Sequence, residues 1–368
     1  MLRPESEEGL ADLIAAATQP LSPQGGGTRG AGVDGAVRLD LGGLTGIVLY
    51  EPASLTLIAR AGTPLTLIER TLAENRQRLA FEPADWRGLL GTEGQSTIGG
   101  VVAANIAGPR RVQAGAARDA CLGVRFVDGS GTVIRNGGRV MKNVTGYDLV
   151  KLMAGSWGTI GVLTEVALKV LPAPEAEATL VLAGLEPDRA VRVMTAALGS
   201  PFDVTGAARL PDARVLIRVE GFGPSVAYRV GRLADLLADF GAAEGTEGAT
   251  SAGLWHLVRD VVPFQGRAGD VWRFSLRPSQ AAMVAARLGG DVLIDWGGGL
   301  IWALLPVGTD ARVLAAPYQG HAMLVRARGE TRARLPRFEP ETPAVRALAA
   351  GLRARFDPRG ILNPGLMG

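Results

Sequence analysis

The sequence predicts an α+β fold in two parts, and three observations carry that prediction. The first half is glycine-rich and strand-leaning, with short apolar runs broken by turn residues. The second half alternates strand-length and helix-length patterns in two rounds of β-α-β-β-α, the rhythm of an antiparallel sheet backed by helices. Between them, Leu171-Pro-Ala-Pro-Glu reads as a linker. The expected organisation is therefore residues 1–172, residues 173–340, and a C-terminal helix and tail over 341–368.

Taken in order, a short amphipathic helix ends over Ala11–Ala17, and strands follow at Ala36–Leu41, Gly46–Tyr50 and Leu55–Ala61. Pro64 suits the opening of a helix through Asn75, with Leu65, Leu67, Ile68 and Leu72 on one side. Further strands are expected at Leu122–Val127, Thr132–Arg135 and Gly161–Leu171. In the second half, strand Thr179–Ala183 leads to helix Asp188–Leu198, strands at 203–209 and 213–220, and helix Ser225–Phe240. The second round gives strand Val271–Leu276, helix Ser279–Leu288, strands at 291–296 and 300–305, helix Asp310–Pro317 and a strand at 321–327. No residue-level repeat links the rounds, so any duplication is architectural. Helix Thr342–Phe356 and an Asp-Pro-Arg-Gly-Ile-Leu-Asn-Pro-Gly tail close the chain.

Composition excludes several classes. One cysteine, Cys121, allows neither an intramolecular disulfide nor an iron–sulfur cluster or thiolate zinc site made by this chain alone. Two histidines, His256 and His321, leave little for a histidine metal site. Of 39 basic residues only Lys142, Lys151 and Lys169 are lysine, and 36 acidic residues are interspersed with them, so no nucleic-acid footprint emerges. No apolar run is long enough to span a membrane, and the acidic start lacks the order of a signal peptide. A cytoplasmic location is expected, either free or held at the inner membrane face through partners.

Glycine, 51 of 368 residues, gathers in three clusters that need a reason. Gly25-Gly26-Gly27-Thr28-Arg29-Gly30 formally fits G-x-G-x-x-G, yet Pro20 and Pro23 precede it and Gly32 to Gly35 follow, so neither flank suits a Rossmann turn. It reads either as a flexible turn or as a loop whose amides cradle a phosphate. Residues 91–108, GTEGQSTIGGVVAANIAG, set hydroxyls and small residues before an apolar stretch, which suits a backbone-lined anion site at a helix start. Residues 155–163, GSWGTIGVL, run straight into a strand, where glycines let a planar or phosphate-bearing ligand touch backbone. Lys142 and Lys151 bracket VMKNVTGYDL, which hints at a need for compact ammonium groups; chance is the alternative.

The series PQGGGTRG (23–30), EP (51–52), GTEGQSTIGGVVAANIAGPRR (91–111), KNVTGYDL (142–149), GSWGTIGVLTEVALKVLP (155–172) and ILNPG (361–365) closely resembles the FAD-binding domain of the vanillyl-alcohol oxidase, or PCMH-type, flavoproteins. Within that family GPRR, VMKNVTGYDL, IDWGGG and GHAMLVR are similar to the FAD-binding subunits of bacterial glycolate oxidases. The resemblance spans nearly the whole chain, is specific over 23–172 and looser beyond. It implies a two-part FAD domain, to which the C-terminal tail returns, and an antiparallel cap with helices.

The resemblance also implies a ligand set. The pyrophosphate would lie between Gly25, Gly26, Gly27 and Thr28 on one side and Gly94, Ser96, Thr97, Ile98, Gly99 and Gly100 on the other. Asn105 and the backbone of Gly158, Ile160, Gly161 and Val162 would line the adenine and ribitol side, and Pro23, Pro83 and Asn363 complete the FAD contacts. Relatives that bind flavin covalently often carry histidine in the first loop, where Thr28 stands here, so non-covalent FAD is expected. The implied activity is oxidation of a small 2-hydroxy acid, glycolate to glyoxylate. Electrons would pass to a catalytic FAD subunit and an iron–sulfur subunit. A stand-alone D-2-hydroxy-acid dehydrogenase and an FAD-bound assembly subunit are the alternatives.

Catalytic residues are thin. The family's metal-binding histidine constellation has no counterpart, and no metal is expected. His256, at helical spacing in GLWHLVR, reads as structural, while His321 at a strand mouth is either structural or flavin-proximal. Arg273 on a cap strand is a candidate carboxylate anchor, and His321 and Arg273 together are the catalytic candidates. Arg110 and Arg111 could form ion pairs, neutralise FAD phosphate or face a carboxylate substrate. Trp296-Gly-Gly-Gly with Trp302 reads as strand packing and a turn, and Cys121 as a small buried hydrophobe.

Overall fold

The computed structural model describes residues 1–30, 32–138 and 146–367. The chain divides into two compact units: Met1–Ala107, Gly115–Ala173 and Pro340–Gly368 form the first, and Gly108–Ala114 and Pro174–Glu339 the second. The sequence reading puts residues 108–114 in the first half; in the structure they group with the second unit.

In the first unit β1 (Leu21–Gln24) and β2 (Val37–Asp40) pair in parallel. The main sheet contains β3 (Ile47–Glu51), β4 (Thr56–Arg60), β5 (Gln77–Leu79), β6 (Cys121–Val127), β7 (Val133–Gly137) and β8 (Val162–Pro172), ordered β3-β4-β8-β6-β7 with β5 on the end of β8. All its pairings are antiparallel. Helix Glu7–Ala16 starts at Ser6, whose Oγ accepts from Gly9 N at 3.0 Å, and it buries Leu10 and Ile14 against Leu21, Leu39 and Leu362. Arg359 of the C-terminal tail donates to the carbonyls at the end of that helix, Ile14, Ala15 and Ala17, supplying partners for groups the helix leaves open.

The expected strands of this half form. β1 was not expected, because Leu-Ser-Pro-Gln has neither alternation nor strand propensity. Tertiary pairing holds it: Leu21 N donates to Ile361 O at 2.7 Å and Asn363 N to Leu21 O at 2.9 Å. A strand therefore does precede the Gly25–Gly30 loop, which corrects one flank of the sequence reading. The other flank stands, since among the described residues no helix separates the loop from β2.

The second unit is one eight-stranded antiparallel sheet. Its strands are β9 (Ala176–Leu182), β10 (Val204–Arg209), β11 (Val215–Gly221), β12 (Ala243–Glu247), β13 (Asp270–Leu276), β14 (Asp291–Asp295), β15 (Leu300–Leu305) and β16 (Gly320–Arg326). The order is β12-β9-β11-β10-β14-β15-β13-β16. Numbered within its own round, each half reads 4-1-3-2, and the two halves join back to back through one residue pair, Arg209 and Ile294. The two rounds expected from sequence are thus two β-α-β-β-α-β units. Helices Pro187–Leu198, Gly223–Leu237, Ala281–Leu288 and Ala311–Ala315 cover one sheet face with Val193, Leu233, Val284 and Ala311 in a shared core.

Alternation decides what the other face carries. Ala178, Leu180 and Leu182 of β9 join the helix-side core, so Thr179 points the opposite way, where its Oγ1 meets Ser251 Oγ at 2.7 Å and accepts from Trp255 Nε1 at 2.8 Å. Helix Gly248–Arg259 brings both residues there; the sequence shows its helical spacing only around His256 and gives no sign of β12. Glycines 248 and 253 dilute its periodicity. On the same face Arg218 is fully buried with its guanidinium 4.4 Å from the Trp255 ring.

Arg110 enters this network from the 108–114 excursion. It grips Glu220 with two bonds, Nη2 to Oε1 at 2.8 Å and Nε to Oε2 at 2.9 Å. Removing it leaves the buried Glu220 carboxylate with the longer Arg218 contact at 3.7 Å, so Arg110→Ala should lower unfolding stability by about 2 kcal/mol. Urea denaturation reads this directly, and a loss below about 1 kcal/mol would mean the pair is as dispensable as a surface bridge.

Candidate functional site

The three glycine clusters converge in the first unit. They surround a cavity with about 890 Å³ of empty space, continuous with solvent. One wall is the loop after β1, from Pro23 to Gly30; another is Thr97, Gly99 and Gly100 at the start of helix Ile98–Ala103; the third is Trp157, Gly158, Gly161 and Val162 leading into β8. Ala61, just after β4, closes the floor.

The glycines are required first by how these loops meet. A Cβ on Gly26 would overlap the Gln95 carbonyl, a Cβ on Gly94 would overlap the Gly26 carbonyl, and a Cβ on Gly25 would overlap Thr97 Oγ1. A Cβ on Gly99 would stand 2.8 Å from Ala61 O. No open space separates Gly26 from Gly94, so of the expected span between Gly25–Thr28 and Gly94–Gly100 this pair leaves no room for a phosphate. The open side is bounded instead by Gly25–Thr28, Thr97, Gly99 and Gly100. Thr97 N-caps the helix, its Oγ1 accepting from Gly100 N at 3.4 Å.

Of the other expected ligands, Pro83, Gly94, Ser96, Ile98, Asn105, Ile160 and Asn363 do not line this cavity. Ile98 and Ile160 are buried core residues. Asn105 accepts from Arg118 N at 3.1 Å. Asn363 stands just behind the wall: its Nδ2 donates to Trp157 O at 2.9 Å, and its buried Oδ1 has no hydrogen-bond partner. Thr28 is buried and does line the cavity. Cys121 is buried, and burial pushes its thiol up to about 12, which leaves it inert. Lys151 donates to Arg118 O at 2.5 Å and lies 3.6 Å from Asp119, a structural tie. Lys142 and the rest of 140–145 lie outside the described residues.

Arg29, not singled out from sequence, is part of the wall. Its Nη2 donates to Ser96 Oγ at 3.1 Å, Nη1 to Ala84 O at 3.4 Å, and the group lies 5.4 Å from the Trp86 ring. Burial pulls its pKa down to about 10 against the opposing pull of Asp85, so a desolvated positive charge sits beside the glycine amides. That charge, the exposed amides and the mostly apolar walls fit a long ligand with an anionic centre and flat ends. FAD has that make-up.

The second catalytic candidate set lies in the second unit, on the sheet face away from its four covering helices. Trp272 and Phe274 of β13 and Ala322 and Leu324 of β16 fill the helix-side core, so Arg273 and His321 project from the other face. Trp302 pairs with Arg273 in register. The Arg273 guanidinium stands 5.2 Å from the Trp296 ring and 5.8 Å from the Trp302 ring. Burial, then the nearby charge of Arg111, pull Arg273 down to about 10. His321 is open to solvent on one side; even so its partial burial, and then Arg273 and Arg111, hold its imidazole below the ordinary range, while Glu339 acts the other way. The ring is therefore neutral at pH 7. His256 is exposed and meets Asp260 at 2.9 Å, as a structural residue would. Among the described residues no group of three or more His, Cys, Asp and Glu side chains could hold a metal ion, and no helix is long and apolar enough to cross a membrane.

Residues 1–137 match a family model described as an FAD binding domain, and the glycine loops at 25–30 and 94–100 fall inside that match; FAD is the cofactor. Across 99% of its length the chain shares the fold of an alkyldihydroxyacetonephosphate synthase, with a TM-score of 0.71 at 17% identity, covering 76% of that structure. The Bacillus subtilis glycolate oxidase subunit GlcD is 30% identical over 187 residues, 49% of this chain and 38% of the relative. The glycolate oxidase subunit GlcE of Escherichia coli K12 is 38% identical over 326 residues, covering 88% of this chain and 84% of that protein. With similarity of that depth running through both units, the chain belongs to the family of glycolate oxidase subunit GlcE, among the FAD-linked oxidoreductases.

Proposed function

We propose that this chain is the FAD-binding subunit of a glycolate oxidase complex, oxidising glycolate to glyoxylate and delivering the electrons to partner subunits. The observation that carries the reading is the cavity itself: three glycine segments and a buried arginine shaped around an anionic, flat-ended ligand, in a chain of the GlcE family. When bound, FAD supplies the two-electron acceptor for the oxidation. The chain's own residues divide the remaining work. Gly25, Gly26, Gly27 and Thr28, with Thr97, Gly99 and Gly100, offer backbone and hydroxyl donors to the pyrophosphate, with Arg29 balancing its charge. Gly158, Gly161 and Val162 take the flat portions, and Asn363 Oδ1 is a free acceptor behind them. Arg273 holds the substrate carboxylate, and neutral His321 takes the hydroxyl proton on a ring nitrogen. The partners are a catalytic FAD subunit and an iron–sulfur subunit, because one buried cysteine cannot ligate a cluster. The complex works in the cytoplasm or at the inner membrane face.

The flavin is held without a covalent bond. Thr28 occupies the first loop where a linking histidine would stand, and a hydroxyl is a poor nucleophile toward the flavin ring at its ordinary pKa. The purified chain should show a flavin absorbance spectrum, and acid precipitation should leave the yellow colour in the supernatant. Colour retained by the washed pellet would overturn the non-covalent assignment, and a colourless native protein would overturn the cofactor site.

A further inference from the structure

We propose that Arg111 and Trp296 complete a two-arginine carboxylate site with Arg273, in which the Trp296 indole spaces the two guanidiniums for a small 2-hydroxy monocarboxylate. This deepens the functional reading above and rests on it.

Arg273 stands on the sheet face opposite the covering helices. Among the described residues its guanidinium has no side-chain hydrogen bond and no ion pair; its neighbours are the Trp296 and Trp302 rings. Stacking on an indole contributes on the order of 0.5–2 kcal/mol. Withdrawing a guanidinium from water costs several kcal/mol. The guanidinium is half-buried, and its five planar donors have no side-chain partner among the described residues, which leaves them open to water or a ligand.

Arg111 adds the second charge. It arrives on the 108–114 excursion, which is fixed on both sides of it: Arg110 is clamped by Glu220, and Gly108 O accepts from Trp296 Nε1 at 3.0 Å. Its guanidinium lies 4.5 Å from the same Trp296 ring that Arg273 faces at 5.2 Å. One indole thus contacts both cations, and its ring nitrogen ties the loop that carries one of them.

Trp296 is held in place at a cost. Its φ is +54°, a left-handed conformation that is unusual for a bulky residue. Asp295, whose Oδ1 accepts from Trp296 N at 2.7 Å, fixes that turn and supplies a nearby carboxylate, and Gly297 and Gly298 continue it at positive φ. Strain of this kind persists where the surroundings over-determine it. His321 feels both arginines, with Glu339 as the counterweight. A carboxylate gives two arginines planar acceptors and leaves the adjoining hydroxyl within the neighbourhood of an imidazole.

The site can be read without turnover. The FAD-loaded chain is titrated with glycolate, and with glycolamide as the neutral counterpart, by calorimetry, while imidazole resonances of the two histidines are followed against pH. Glycolate should bind and glycolamide should not. A carboxylate between Arg111 and Arg273 offsets their charge, so the His321 midpoint should rise on saturation, with His256 beside Asp260 as the internal control. Arg273→Gln should weaken glycolate about 10- to 100-fold and Arg111→Gln about tenfold, as expected for charge-assisted bonds. Trp296→Phe keeps a ring but loses the bond to Gly108 and should weaken binding while leaving flavin occupancy intact. Glycolate affinity unchanged in Arg273→Gln and Arg111→Gln, or a His321 midpoint indifferent to glycolate, overturns the proposal. Loss of flavin from the unaltered chain would instead count against the functional reading.

Discussion

Gly26→Ala should purify without flavin. The added methyl group cannot coexist with the Gln95 carbonyl, so the first glycine loop must retreat from the second, and the cavity wall opens. Gly26 does not have positive φ, so the effect is purely one of contact; alanine already suffices, and valine adds nothing essential. Gly99→Ala should behave similarly but less completely, because its Cβ meets Ala61 Cβ at 2.5 Å and Ala61 O at 2.8 Å, a milder overlap than that of Gly26, and the short helix can shift slightly. The ratio of visible flavin absorbance to protein absorbance after gel filtration reads occupancy. Far-UV circular dichroism separates a local loop displacement from unfolding. Gly27→Ala is the control, since nothing stands closer than 3.9 Å to its Cβ; it is strained only through its φ of +70° and should retain more flavin than Gly26→Ala. Stoichiometric flavin in a well-folded Gly26→Ala would mean that the loops do not meet as described.

How much of this was legible in the sequence depends on the range of the interaction. The three glycine clusters announce themselves, because small residues and hydroxyls bunched before apolar runs are a local signal. Arg29 does not: in a chain where arginine has displaced lysine, one more arginine in a glycine loop carries no mark, and only its burial in the wall singles it out. The strand β1 and the first turns of the helix at 248–259 carry weak local signals and depend on distant partners. Each is held by partners distant in sequence, Leu21 by the tail at 361–363 and Trp255 by Thr179 on β9. Alternation along β13 and β16 does place Arg273 and His321 opposite the helix-side residues. What it cannot give is Trp296, whose orientation depends on a left-handed turn, or the role of Arg110, whose partner Glu220 lies 110 residues away.

The largest kinetic expectation concerns the chain by itself. Bound glycolate must lose a hydroxyl proton as the C–H bond is broken, and the imidazole available on this sheet face is a weakened base. Burial and two guanidiniums lower the His321 pKa, and each unit by which a base is weakened removes up to about 1.4 kcal/mol of driving force for the proton transfer. A bound carboxylate offsets the two guanidiniums, but burial, the largest cause of the lowering, still weakens the base beside it. A partner subunit that brings a negative group or a stronger base would relieve this, which is why a subunit can bind FAD and substrate yet turn over slowly alone. The FAD-loaded chain, mixed anaerobically with glycolate or D-lactate, should bleach its flavin at least about a hundredfold more slowly than the assembled complex, the span commonly contributed by one general base. Restoring the partner subunits should restore the rate. Raising the pH across the neutral range should do little for the lone chain, because an imidazole held below its ordinary range is already neutral there. Rapid bleaching by the chain alone would replace the subunit reading with that of a self-sufficient 2-hydroxy-acid dehydrogenase, and no acceleration on adding the partners would leave assembly as its main work.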